Sequence, residues 1–295
     1  MALKVKEIVN RDFVYATVPG TRDEVLELMR KRNVNVVPVV KKGTMTLAGI
    51  VTHKELMEKP HETQIALLMR RDPEAVSADA DVVSLVKLML EKNLSHVPVV
   101  DSDGSLVGVV SVSDVVRKAV AVEKRSEPIK PFVQRVIIAA WEKTPLPVAY
   151  TIMRLAKAPV LHVLDDKGKL VGVVDESDFL KASEVVSEEK VSSIISTSEG
   201  TDWSWDASSI FYITTKKLNL PNIPLSEIMT RDIVMVNEHT SLTECALKML
   251  KHDLNQLPVK DATGNIVGVI NETDILRGYY EAALKSGRKH ATSSS

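Results

Sequence analysis

Apolar positions along this chain come in two alternating rhythms. Stretches such as Val82-Val83-Ser84-Leu85-Val86-Lys87-Leu88-Met89-Leu90 and Leu242-Thr243-Glu244-Cys245-Ala246-Leu247-Lys248-Met249-Leu250 place apolar side chains three and four residues apart. That is the spacing of one packed helix face. After the first comes a short unbroken apolar run, Val97-Pro98-Val99-Val100, which predicts a buried strand. The turn Asp101-Ser102-Asp103-Gly104 follows, its glycine suited to a positive φ. Leu106 to Val110 predicts a returning strand. Ser111-Val112-Ser113-Asp114 then leads into a helical stretch, Val115 to Val122, with Ser111 or Ser113 placed to cap it.

The same order recurs. Residues 95–114 read SHVPVVDSDGSLVGVVSVSD, and residues 255–274 read NQLPVKDATGNIVGVINETD. The two align without a gap, Pro98 on Pro258, Gly104 on Gly264, Gly108 on Gly268 and Asp114 on Asp274. A third copy, PVLHVLDDKGKLVGVVDESD, occupies 159–178, and a fourth, NVVPVVKKGTMTLAGIVTHKE, occupies 35–55 with one extra residue in its turn. An internal repeat of this kind sets the architecture of the whole chain.

Repeats of helix, strand, turn, strand and helix carrying an apolar-Pro-Val-Val strand and a Gly-apolar-apolar-Ser/Thr-x-x-Asp motif resemble CBS domains. The resemblance spans nearly the whole chain and extends to four-repeat members of the family, the gamma subunits of AMP-activated protein kinase and archaeal tetra-CBS proteins. It implies an α+β fold of four CBS repeats paired into two Bateman modules in a disc-like arrangement, with nucleotide clefts between paired repeats. Repeat 1 is placed at 3–60, repeat 2 at 61–122, a degenerate repeat 3 at 129–183 and repeat 4 at 222–286. The charged stretch 123–128, closed by Pro128, reads as the linker between modules. Residues 184–221 are an insertion holding Trp203 and Trp205, read either as rings packed on the second module or as a partner-binding element. Residues 287–295 read as a mobile tail.

The resemblance also implies a site. The carboxylate after the second strand accepts hydrogen bonds from ribose hydroxyls, and the hydroxyl three residues earlier donates to a phosphate near a helix N-terminus. Repeat 2 fits fully and ranks first, with Ser111 and Asp114 as that pair and Ala75, Val76, His96, Val97 and Pro98 around the base. Repeat 1 offers Thr52 and Glu55, with Ala16, Thr17, Val36, Val37 and Pro38 as lining. Repeat 4 offers Asn271 and Asp274, with Val234, Met235, Gln256, Leu257 and Pro258. In repeat 3 Asp175 stands where the phosphate donor belongs, so a phosphate there meets like charge. Ser111 and Asp114 also have a purely structural reading, as helix caps. Cations to meet phosphates are drawn from His53, Lys54, Arg70, Arg71, Arg117, Lys118 and Arg231.

Composition narrows the function. A formal net charge of -1 with 26% charged residues excludes a surface built wholly for nucleic acid. The single cysteine, Cys245, excludes an intrachain disulfide and reads as core. The sequence holds no phosphate-binding loop, dinucleotide fingerprint, zinc-protease or nucleophile-elbow motif, and the repeats leave no room for a catalytic domain. No apolar run reaches the roughly 18 residues of a membrane span, and no secretory leader is evident, which predicts a soluble cytoplasmic protein. The expected ligand is AMP, ADP or ATP without a required metal, S-adenosyl compounds being chemically allowed too. The expected partner is a protein that reads the energy state, with homodimerisation left open. The alternative, by likeness to ribosome-associated dormancy factors among archaeal tetra-CBS proteins, is a ribosome- or RNA-binding factor.

Overall fold

The computed structural model describes residues 3–59, 61–195 and 208–292. Four eleven-residue helices, Arg22–Arg32, Val82–Lys92, Leu146–Ala156 and Leu242–His252, open the four repeats' bodies. The second shows why they form. Asp81 accepts a hydrogen bond from the Ser84 amide at 2.9 Å, and Val82, Leu85, Val86 and Met89 make one buried face. Each helix stops on a left-handed residue, Asn33, Asn93, Lys157 or Asp253.

Antiparallel strand pairs follow: Val36–Lys41 with Leu47–Thr52, His96–Val100 with Leu106–Ser111, Val160–Leu164 with Leu170–Asp175, and Gln256–Lys260 with Ile266–Asn271. A short parallel strand flanks each pair: Ala16–Val18, Val76–Ser77, Ala139–Trp141 and Val236–Asn237. The predicted turns are present. In repeat 2 the Asp101 carboxylate accepts from the amides of Asp103 and Ser105 at 3.0 and 2.9 Å, and Gly104 takes a φ of 76°.

Local periodicity does not show that repeats exchange their opening segments. Val5, Ile8 and Val9, from the start of repeat 1, are buried in the core around Leu85, Val97 and Val110 of repeat 2. Ile65, Leu68 and Met69, from the start of repeat 2, are buried with Val25, Val37 and Val51 of repeat 1. Leu225 and Met229 complete the core of repeat 3, while Ile129 and Val133 join that of Leu257 and Ile270 in repeat 4. Each incoming segment crosses the second strand of its host at a motif glycine. A Cβ on Gly108 would lie 2.5 Å from the Asn10 carbonyl oxygen, and one on Gly268 would lie 2.1 Å from that of Gln134. Glycine is therefore required at these crossings for close backbone approach.

The chain divides into two compact units, one of residues 1–135 and 234–295 and the other of 136–233. The first holds repeats 1, 2 and 4, with the cores of 2 and 4 merged. The second holds repeat 3 and a long hairpin, Glu184–Ile195 paired antiparallel with Ser208–Asn219. The boundary thus falls away from 123–128. That stretch is packed, with the Thr243 hydroxyl accepting from the Arg125 amide at 2.8 Å and Glu127 accepting from the Leu242 amide at 2.9 Å. Arg125 donates to Glu123 at 2.7 and 3.0 Å, while Lys124, Ser126 and Pro128 are exposed. The insertion read at 184–221 is the hairpin; Trp203 and Trp205 lie outside the described residues. The last helix, Glu272–Thr292, runs past 287, where a mobile tail was expected, because a lone Gly287 among helix formers does not end it. Among the described residues no helix is long and apolar enough to cross a membrane.

Candidate functional site

Ser111 ends its strand and begins the helix that follows. Its hydroxyl accepts from the Asp114 amide at 3.0 Å and donates to Asp114 Oδ2 at 2.6 Å, while the Ser111 amide donates to the same oxygen at 2.9 Å. This is a reciprocal capping box. The structural role foreseen for these residues is therefore real, and it leaves Oδ1 free of the cap. Oδ1 meets Lys118 Nζ at 3.1 Å, and Lys118 also donates to the Ile8 carbonyl at 2.8 Å. The Asp114 side chain keeps 18% exposure.

Ser111 and Asp114 stand at the wall of a 190 Å³ cavity with His96, Val109 and, from repeat 1, Asn10, Phe13, Val14, Val36 and Pro38. His96 belongs to both this cavity and a neighbouring one of 790 Å³, which Asn35, Val36, Thr52, Glu55, Lys59, Arg70 and Lys92 also line. The two cavities share Asn35, Val36 and His96 and adjoin one another between repeats 1 and 2. Ligand pockets run to about 300–1,000 Å³, so the Thr52–Glu55 end is the roomier. Phe13, Val14 and Pro38 line the smaller Ser111–Asp114 end.

Thr52 and Glu55 repeat the geometry. The Thr52 amide donates to Glu55 Oε2 at 2.9 Å and its hydroxyl donates to the same oxygen, while Oε1 faces Arg70 Nε at 3.9 Å. Burial pushes the Glu55 carboxyl upward, but the Thr52 hydrogen bonds and the Arg70 charge outweigh it and hold it below the usual carboxylate range. Burial pushes His96 below the usual histidine value against the pull of Asp114, so a neutral ring faces the cleft near pH 7. Lys59 and Lys92, which the sequence reading passed over, line the Thr52–Glu55 end, Lys59 donating to the Leu67 and Leu68 carbonyls at 2.6 and 3.3 Å and Lys92 lying 3.3 Å from Glu74. Their signal was weak, since nothing local separates them from ordinary surface lysines.

Other expected lining residues sit elsewhere. Ala16, Val37, Val97 and Leu257 are core residues with 0–4% exposure, because alternation along a strand turns them toward the packed helices. Their side chains face the core, and what they can offer a ligand is backbone. Pro98 and Pro258 are buried as well. Val76 and Val234 pack partly buried against the core, and Ala75, Thr17 and Met235 are half-buried. Of the cations named from sequence, Arg117 is tied to Asp253 at 2.9 Å, and Arg71 and Arg231 donate to the Ala66 and Ser226 carbonyls at 3.1 and 2.9 Å. The side chains of His53 and Lys54 lie outside the description.

In repeat 4, Asn271 and Asp274 make the same cap, at 3.0 and 3.1 Å, but the Asp274 side chain is 2% exposed. Burial raises its carboxyl above the usual range, and hydrogen bonds from Asn271 and Gln134 offset this only in part. In repeat 3 the cap is made by two acids, the Asp175 and Asp178 carboxylates each accepting from the other's amide at 3.1 and 3.0 Å. A phosphate there would meet two carboxylates. Cys245 is fully buried and its thiol is pushed up to about 12 by burial. Among the described residues no cluster of His, Cys, Asp and Glu suits a metal ion.

The family profile described as "CBS domain" matches residues 5–62, 64–121, 129–185 and 225–281. A crystal structure of an uncharacterised conserved protein from Pyrococcus horikoshii is 31% identical, covers 93% of this chain and 99% of its own, and superposes with a TM-score of 0.66. Protein MJ1225 of Methanocaldococcus jannaschii is 24% identical over 94% of this chain and 99% of its own length. Its crystal structure, described as that of a candidate archaeal homologue of γ-AMPK, superposes with a TM-score of 0.60 at 22% identity, a likeness of fold. Bacillus subtilis YlbB, also uncharacterised, is 32% identical over 38% of this chain and 78% of its own.

Proposed function

Since the chain belongs to the CBS-domain family, in four copies that take up most of its length, we propose that it is a non-catalytic regulatory protein that binds an adenine nucleotide in the cleft between repeats 1 and 2 and signals that state to a protein partner. One observation carries this reading. Two adjoining cavities between repeats 1 and 2 each hold a capped hydroxyl–carboxylate pair, Thr52–Glu55 in one and Ser111–Asp114 in the other, and His96 lines both. In each pair the cap uses one carboxylate oxygen and leaves the other beside a cation, Arg70 or Lys118. Sugar hydroxyls can take the place of that cation at the carboxylate, and the released cation can then meet phosphate. Lys59 and Lys92 also line the Thr52–Glu55 end and would have to exchange their contacts with the Leu67 and Leu68 carbonyls and with Glu74 to meet phosphate.

Ligand identity follows from which compound stabilises the protein. A ligand that binds the folded state raises its melting temperature. Protein stripped of small molecules by unfolding and refolding is to be screened with AMP, ADP, ATP and S-adenosylmethionine. A rise with an adenine nucleotide, lost in Ser111→Ala/Asp114→Ala combined with Glu55→Ala, is expected. No rise with any nucleotide would overturn the proposal; a rise with S-adenosylmethionine alone would replace the ligand class. Nucleotides of different charge can bias a partner-binding state only by differing in affinity for two conformations.

A further inference from the structure

We infer that Gln134 fills, from within the chain, the place on repeat 4 that sugar hydroxyls would take, closing Asp274 to ligand while Asp114 stays open; the inference rests on the reading that these carboxylates hold a nucleoside. Gln134 Nε2 lies 3.2 Å from Asp274 Oδ1 and 2.9 Å from Oδ2. One N–H of the amide is thus shared between the two carboxylate oxygens that the hydroxyls of a vicinal diol would otherwise meet, and a carboxylate accepts from either donor. With the Asn271 amide also donating to Oδ2 and Arg277 3.7 Å from Oδ1, the buried carboxylate is satisfied without any ligand.

The segment is held in register. The Gln134 amide donates to the Val269 carbonyl at 2.8 Å, and the Val269 amide donates back at 2.9 Å. Asn10 makes the corresponding crossing on repeat 2, exchanging bonds with Val109 at 3.0 and 3.2 Å. There the outcome differs. Asn10 is one methylene shorter, and its Oδ1 accepts from the Asp12 amide at 3.0 Å. Asp114 keeps 18% side-chain exposure against 2% for Asp274. In repeat 1 the crossing residue is Arg70, whose half-exposed side chain reaches Glu55 only at 3.9 Å. Among repeats 1, 2 and 4, one structural position therefore sets whether the acid is offered or withheld.

The test is isothermal titration of the full chain with AMP, ADP and ATP, comparing wild type with Asp274→Ala, Gln134→Ala, Gln134→Asn and Gln134→Ala/Asp274→Ala. Wild type and Asp274→Ala should bind the same number of equivalents. Gln134→Ala should gain one equivalent per chain, and adding Asp274→Ala should remove it. Gln134→Asn preserves the backbone crossing and should also gain the site if the alanine variant proves unstable. A site lost from the otherwise wild-type chain on Asp274→Ala overturns the inference. So does binding at Asp114 with no gain in either Gln134 variant, an outcome that leaves the proposed function standing. Silence from wild type and both Gln134 variants overturns both together, whereas binding by the Gln134 variants alone upholds the inference.

Discussion

A carboxylate that caps its own helix has one oxygen left for other work, and in Asp114 and Glu55 that oxygen faces a cleft. Replacing Asp114 by alanine should therefore do two separable things. It should cost about 1 kcal/mol of stability through the lost cap, read by denaturant unfolding, and it should weaken nucleotide binding at that end of the cleft. A second prediction concerns His96 and His162. Burial holds both below the usual histidine value in the folded state. The unfolded chain then takes up protons first as pH falls, so the stability these groups contribute is present above about pH 6.5 and is lost below it. His162→Phe should flatten the fall of melting temperature between about pH 7 and about pH 5.5; an unchanged slope would refute this. The juxtaposition of Ser111 with Asp114 and of Thr52 with Glu55 was legible in the sequence because each pair lies within one motif. The sequence hid Gln134, whose partner is 140 positions away.

Helices and strands were legible at the level of elements because their periodicities are local. The apolar face of Val82–Lys92 and the turn at Gly104 follow from spacing and composition alone. What spacing could not show is which repeat each opening segment serves, since Val5 and Ile8 fit a repeat 1 core as well by composition as the repeat 2 core they occupy. Nor did the tryptophans that drew attention to the insertion indicate its hairpin; its β-branched runs, Val185-Val186 and Ile194-Ile195, were the better signal. The crossing glycines offer a test of the exchange. Gly108→Ala would place a methyl 2.4 Å from Val9 Cγ2 and 2.5 Å from the Asn10 carbonyl. Overpacking of this sort costs about 1–3 kcal/mol. The loss should appear in denaturant midpoints, whereas alanine at Gly104, a turn residue with open space around it, should lose stability only through its positive φ.

For the whole molecule, two compact units predict departure from two-state unfolding. Calorimetry should resolve two transitions. A ligand in the cleft between repeats 1 and 2 should move the one belonging to the first unit, by about 2.7 kcal/mol at a concentration 100 times its dissociation constant. The other should stay in place. A single transition that shifts as a whole would instead show the units to be energetically coupled.

The first unit is assembled from the two ends of the chain, and this bears on how the protein is made. Ile129 and Val133 are buried in a core that includes Leu257 and Ile270, so they emerge from the translation machinery well before those partners exist. At about 5–20 residues per second the intervening unit delays that meeting by on the order of 10 s. During the wait an apolar flank lies open to solvent and to other nascent chains, and the interval is a natural point of call for a chaperone.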